Sequence, residues 1–277
     1  MLFSVITVCY NALEDFRKTA ENVLGQTFDD FEYIVVDGAS SDGTDKAAFE
    51  YKEKFLLRNI PCTVVSEKDT GIYNAMNKAI DMASGDFLIF MNAGDIFFSQ
   101  TVLSEMAPFC TKDCDVVYAH TVAREHGLYK EYKASEDISV LRDHWCMGHQ
   151  STFTGAGIMK MFHYDEENFR ICADYDFYLK ALNNGAKFRY VDKFVAEINM
   201  YGVSIVNYKK SLTENFKVLL KNGCITEERY EKEVAEVNAE AARREKKAWQ
   251  RKFIPEFMFR IKRKREGWTE KRPEQII

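Results

Sequence analysis

The stretch IVVDGASSDGT, residues 34–44, decides the fold. Ile34, Val35 and Val36 follow Tyr33 as an unbroken apolar run, without polar alternation. That is the pattern of a strand covered on both faces, as in a parallel sheet. The run stops at Asp37-Gly38, and small turn-forming residues lead to Thr44, where a helical stretch begins and reaches Leu57. Outward from here the same unit recurs. Residues 4–10 (SVITVCY), 62–65 (CTVV) and 87–91 (FLIFM) read as further buried strands. Residues 13–24 and 72–82 read as helices, the second with Ile72, Ala75, Met76, Ala79 and Ile80 on one face. A βαβαβαβ rhythm predicts an α/β fold with a mainly parallel central sheet flanked by helices.

Ligands of such sheets bind outside the carboxyl ends of the strands. Those ends are Cys9-Tyr10-Asn11, the turn from Asp37 to Thr44, Glu67 to Gly71, and Asn92-Ala93-Gly94-Asp95. All are polar, turn-forming or acidic, and all are expected to converge. No glycine-rich phosphate loop follows the first strand, since Tyr10-Asn11-Ala12 matches neither common form. A divalent cation held by acidic strand ends is an alternative way to neutralise a diphosphate.

The segments VITVCYNA (5–12), IVVDGASSDGT (34–44), DTGIYNAMNKAI (69–80) and GDFLIFMNAGD (85–95) occur in this order. Together they resemble family 2 glycosyltransferases of the GT-A, nucleotide-diphospho-sugar transferase, fold. MNAGD and GHQST resemble the forms in bacterial exopolysaccharide, capsule or lipopolysaccharide enzymes. The resemblance weakens through ADYDFYLKAL (173–182) and NMYGVS (199–204) and ends near residue 222. It implies a donor site in which Val8 and Tyr10 meet the nucleobase and Asp37 bonds the base or ribose. Gly38 permits the turn, and Asp69, Gly71 and Asn77 lie beside the donor. The family's D-x-D-D signature falls on Asn92 to Asp95, where only the last acid remains. The resemblance therefore makes Asp95 the ligand of Mn²⁺ or Mg²⁺, with Asn92 reaching the ribose. The family's catalytic base falls on Asp174. On a helix, Asp176 points about 200° away from it and is expected to be structural. His149 and Gln150 are expected to line the acceptor or donor-sugar pocket. The processive QxxRW signature is absent, which implies single-sugar addition, with inversion at the anomeric carbon.

The implied partners are a nucleotide-sugar donor, a UDP-sugar favoured, and a glycan or lipid-linked acceptor. Two other readings stay open at this point: a non-catalytic nucleotide-sugar or glycan-binding protein, and a nucleotidyltransferase, which the missing basic loop disfavours. Residues 1–222 are expected to form the transferase domain, with 1–100 as its nucleotide-binding half and 101–222 as its acceptor side. Residues 223–277 are expected to form a helical basic tail. Between Arg243 and Arg272 there are 13 Lys/Arg against 4 Asp/Glu, although the whole chain carries net charge −5. The acidic balance gives no reason to expect nucleic acid. Residues 253–268 mix aromatic, aliphatic and basic side chains, as a peripheral membrane contact would. The start lacks a secretion signal and no apolar run approaches ~18 residues. Seven scattered cysteines show no zinc spacing and read as reduced thiols. The expected location is cytoplasmic, on the inner membrane face if the tail docks there. His120, His126, His144 and His163 are expected at the surface or internally satisfied.

Overall fold

The computed structural model describes residues 1–200, 202, 207–249 and 256–275. The first seven elements follow the expected rhythm: β1 (Phe3–Cys9), α1 (Leu13–Leu24), β2 (Phe31–Asp37), α2 (Thr44–Leu57), β3 (Cys62–Ser66), α3 (Ile72–Met82) and β4 (Phe87–Phe90). These strands pair in parallel in the order β3-β2-β1-β4, with Cys9 opposite Asp37 and Asp37 opposite Ser66. Every residue of β1 and β2 is buried. Phe3, Val5, Tyr33 and Val35 pack against residues of α1 and α2. Ile6, Val8, Ile34 and Val36 face the other way and pack against α3. Cover on both faces is why these runs are apolar at every position.

The second half is mixed. It comprises β5 (Ile96–Phe97), α4 (Val102–Met106), β6 (Val116–Glu125), β7 (Leu128–Tyr132), β8 (Thr152–Gly155), α5 (Ala156–Phe162), α6 (Ala173–Asn183), β9 (Phe188–Asn199), α7 (Tyr208–Lys221), α8 (Glu227–Trp249) and α9 (Glu256–Arg265). The sheet continues β4-β8-β6-β9-β5, with β7 on β6. β8 runs antiparallel to β4 and β6, β9 parallel to β6, and β5 and β7 antiparallel to their partners. The antiparallel strands fall where the sequence has no clean period.

A polar stripe on α1 fixes the turn after β4. Thr19 Oγ1 donates to the Asp95 carbonyl at 2.7 Å and accepts the Gly94 N–H at 2.9 Å. The Asn22 amide donates to and accepts from the Phe97 backbone, and Gln26 donates to the Ser99 carbonyl. Gly94 has φ +100°, in the left-handed region that favours glycine.

The basic tail returns to the fold. Trp268, 3% exposed, packs with Ala123 and Leu128. Thr269 and Tyr129 exchange backbone hydrogen bonds at 2.8 and 2.9 Å. Arg263 pairs with Glu125 at 2.6 Å and Arg272 with Glu197 at 2.8 Å. Arg260 and Lys264 both pair with Glu270. Glu125 and Glu197 are buried acids of β6 and β9, and a buried charge needs a partner. Trp268 and four of the cations between 260 and 272 are engaged within the protein, whereas Ile261 and Arg265, in the segment expected to meet a membrane, are exposed. Residues 253–255 lie outside the described residues. Among the described residues no helix is long and apolar enough to cross a membrane.

Candidate active site

Parallel pairing in register brings the ends of β1 to β4 to one edge, and a cavity of about 1480 Å³ opens there. Val8, Tyr10, Asp69, Gly71, Asn92, Asp95, His149, Gln150 and Asp174 all line it. Tyr10 is 64% exposed, and burial cannot explain an aromatic ring left there. Gly38 sits behind this wall. A Cβ on it would come 2.6 Å from Asp69 Oδ2 and 3.2 Å from the Tyr10 ring, so only glycine permits both to stand where they do. Asp69 Oδ1 accepts the Gly71 N–H at 2.9 Å, and Gly71 opens α3 with φ +142°.

Two expected donor residues are placed elsewhere. Asp37 is wholly buried, and its carboxylate accepts from Ser40 N–H, Ser40 Oγ and Ser66 Oγ. It closes the turn after β2 and does not line the cavity, because the Ser40 turn supplies donors nearer than any ligand. Asn77 faces away too: its amide donates to the Tyr164 carbonyl and accepts the Tyr164 N–H, both at 2.9 Å. Its role is to join α3 to the loop before α6. Arg170 was not anticipated. It lines the cavity beside Gly71 and donates to the Thr70 carbonyl at 3.1 Å.

Asp95 is 8% exposed, and burial pushes its carboxyl up to about 6, against the opposing influence of His149 and the hydrogen bond from Gln150. Gln150 Nε2 donates to Asp95 Oδ2 at 3.2 Å. Among the described residues no three His, Cys, Asp or Glu side chains cluster as a metal site. Asp95 nevertheless suits a cation, being a buried carboxylate with little positive charge around it. Mg²⁺-type ions commonly use one or two carboxylates, with phosphate oxygens and water completing the shell. Asn92 Oδ1 is buried without a hydrogen-bond partner, leaving an acceptor at the cavity wall.

Asp174 stands in the first turn of α6. Its Oδ1 accepts the Tyr175 N–H at 2.9 Å and lies 3.0 Å from the Tyr73 hydroxyl, which also reaches the Ile171 carbonyl. Burial holds the Tyr73 phenol well above its usual range, so it remains a donor. Oδ2 lies 3.0 Å from His149 Nδ1. Asp176 points away as expected and is bound by Lys221 and Asn222 at 2.8 and 2.9 Å. The N-terminus of α6 has no side-chain cap of its own. Glu214, from α7, supplies one: its Oε2 accepts the N–H groups of Arg170, Ile171 and Cys172 at 3.1, 2.8 and 3.1 Å. Tyr73 lies within DTGIYNAMNKAI, where the resemblance implies no role for it, and no local motif marks Glu214. Of the remaining histidines, His120 is buried between Asp192 and the Ala134 N–H, and His163 meets Asp81.

A family model described as glycosyl transferase family 2 matches residues 4–169. A PGL/p-HBAD biosynthesis glycosyltransferase of Mycobacterium tuberculosis is 28% identical over 204 residues, 73% of this chain and 78% of that protein. An uncharacterized glycosyltransferase of Methanocaldococcus jannaschii is 25% identical over 70% of this chain and 69% of its own length. Among solved structures, S. aureus TarS 1-349 in complex with UDP-GlcNAc superposes with TM-score 0.63 at 19% identity, covering 86% of this chain and 71% of that one. The mannosyltransferase PcManGT from Pyrobaculum calidifontis, in complex with GDP-Man and Mn²⁺, gives TM-score 0.59 at 17% identity, covering 87% and 74%. These structural likenesses are to the GT-A fold.

Proposed function

Because the chain belongs to glycosyl transferase family 2, we propose that it moves a single sugar from a nucleotide-diphospho-sugar to a hydroxyl of a glycan or lipid-linked glycan, with inversion at the anomeric carbon. One observation carries this reading: a single cavity is lined both by the strand-end residues Val8, Tyr10, Asp69 and Asp95 and by the His149 and Asp174 pair. A site that only bound a nucleotide-sugar would have no need of a carboxylate–imidazole pair beside the strand ends.

In this mechanism Tyr10 and Val8 hold the nucleobase, Asp69 fixes the loop at the start of α3, and Asn92 Oδ1 accepts from a donor hydroxyl. Asp95, oriented by Gln150, is the residue that would hold Mn²⁺ or Mg²⁺, which when bound offsets the charge developing on the diphosphate. Arg170 supports the same charge from the Gly71 side. Asp174 is the carboxylate that drives loss of the acceptor's proton. Inversion requires the base and the leaving group on opposite faces of the sugar, and separate side chains serve the two roles. The relatives' names place similar proteins in glycan assembly, and a UDP-sugar is the donor we favour. The test is a thermal-shift panel of UDP- and GDP-sugars with and without Mn²⁺, followed by product analysis. A donor that raises the melting temperature and yields nucleoside diphosphate supports the reading. Release of a sugar 1-phosphate, or binding with no turnover toward any acceptor or water, would sink it.

A further inference from the structure

Resting on the transferase reading above, the geometry at Asp174 shows which atom meets the acceptor. Asp174 Oδ1 is held by Tyr73 and by the Tyr175 N–H, and Oδ2 is covered by the His149 ring. A carboxylate offers only acceptor oxygens, so Nδ1 of His149 carries the hydrogen between them. The other ring nitrogen, Nε2, is then the one with a lone pair. The Asn92 Nδ2 amide donates to it at 3.4 Å, a long bond that an acceptor hydroxyl can displace, on the wall where the donor residues stand. His149 occupies a tight turn, His149–Ser151, pinned by Ser151 N–H and Thr152 Oγ1, which both donate to the Gly148 carbonyl. Its neighbour in that turn, Gln150, reaches Asp95. One rigid turn therefore aims an imidazole and a metal-side amide into the same cavity.

We propose that Nε2 of His149 takes the proton of the acceptor hydroxyl, and that Asp174 is a positioning residue acting through the ring. In the step, the acceptor O–H bond breaks and its proton passes to Nε2. The acceptor oxygen forms the bond to the anomeric carbon. The bond from that carbon to the diphosphate oxygen breaks, and its electron pair leaves with the nucleoside diphosphate. The imidazolium is stabilised by Asp174 and returns its proton to solvent after product leaves. This is the division of labour by which a buried carboxylate fixes tautomer and orientation while the imidazole moves the proton.

The experiment compares wild type, His149→Ala, His149→Gln and Asp174→Asn in single-turnover release of nucleoside diphosphate. The probes are UDP-N-acetylglucosamine, UDP-glucose, UDP-galactose and GDP-mannose, with water as acceptor and donor affinity measured separately. His149→Ala should lose about 10²-fold or more in rate with donor affinity nearly unchanged. Added imidazole should restore part of the rate in His149→Ala and none in Asp174→Asn, a result that a merely structural histidine would not produce. His149→Gln fills the space without a basic nitrogen and should be as slow, which covers the case of an unfolded alanine variant. If His149→Ala and His149→Gln stay within about fivefold of wild type while Asp174→Asn is inactive, the carboxylate itself is the base. The inference then fails and the transferase reading stands. If wild type releases nucleoside diphosphate from none of the four donors, with water or with any glycan or lipid-linked acceptor, the transferase reading fails and takes this inference with it.

Discussion

Asp95 carries a charge that the surrounding fold compensates poorly. Burial pushes its carboxyl up to about 6 in the folded protein, from an ordinary value of 3.8. A raised acid pKa means that the folded state holds the proton longer. At pH below about 4 the group is protonated whether the chain is folded or not, and it costs nothing. As pH rises through the interval between the two values stability falls, and above about 6 the full loss, about 3 kcal/mol, is in place. In EDTA, Asp95→Asn should therefore melt higher than wild type at pH 8, with the gap closing toward pH 4. Mn²⁺ should raise the wild-type melting temperature and leave the variant unmoved. A gap of constant size across pH would show that Asp95 is not the titrating group. Asp37 and Asn77 teach the complementary lesson at this scale. Both occupy motif positions, yet the hydroxyls of Ser40 and Ser66 enclose the first and the Tyr164 backbone the second.

At the scale of elements, α6 carries Asp174 into the cavity and α7 holds α6 in place. The three N–H groups that lead into α6 have one acceptor among the described residues, the Glu214 carboxylate. Unpaired buried donors cost about 1–3 kcal/mol each, and water entering the gap would recover part of that. Glu214→Ala should lower stability by roughly 3 kcal/mol, or a melting temperature lower by roughly 6 °C. Transfer should fall with donor affinity kept, because Asp174 shifts and Tyr10 does not. Glu214→Gln keeps an acceptor oxygen and should recover most of both. Equal loss in the two variants would mean that charge matters here, not the cap. The cap joins residues more than 40 positions apart in the chain and leaves no local pattern.

For the whole molecule, the basic tail turns back onto the edge of the sheet at β6 and β7. Trp268 closes a small core with Ala123 and Leu128, and the Arg263 guanidinium lies 5.2 Å from its ring centroid. Arg263 also lines the cavity at the strand ends. The tail thus packs on β6 and β7 through this small core and one backbone bridge, Tyr129 to Thr269. Trp268→Ala should cost about 3–5 kcal/mol, and the amides of β6 and β7 should exchange faster with solvent. Unchanged melting and exchange would mean that the segment is not docked in solution. Sedimentation with anionic liposomes should be insensitive to this substitution, since the indole is already covered.

By itself the sequence determined the first half of the fold, β1 to β4. Consecutive apolar runs in residues 4–10, 34–36 and 87–91 have only one efficient burial, between two helical layers, and α1, α2 and α3 begin and end where their patterns do. Local periodicity and turn chemistry suffice there because each βαβ unit is built from neighbours in the chain. The resemblance of the strand-end motifs then pointed to Tyr10, Asp69 and Asp95, and that of ADYDFYLKAL to Asp174, and all four line one cavity. Tertiary structure alone decided the rest. β5, β7 and β8 are two to five residues long and are defined by partners far away in sequence, not by any period of their own. The pairing of His149 with Asp174, the cap from Glu214 and the burial of Trp268 are contacts across 25, 42 to 44, and about 140 positions of chain. Such contacts form because a buried polar or aromatic group must find a partner, and which partner is nearest depends on how the sheet places its edges.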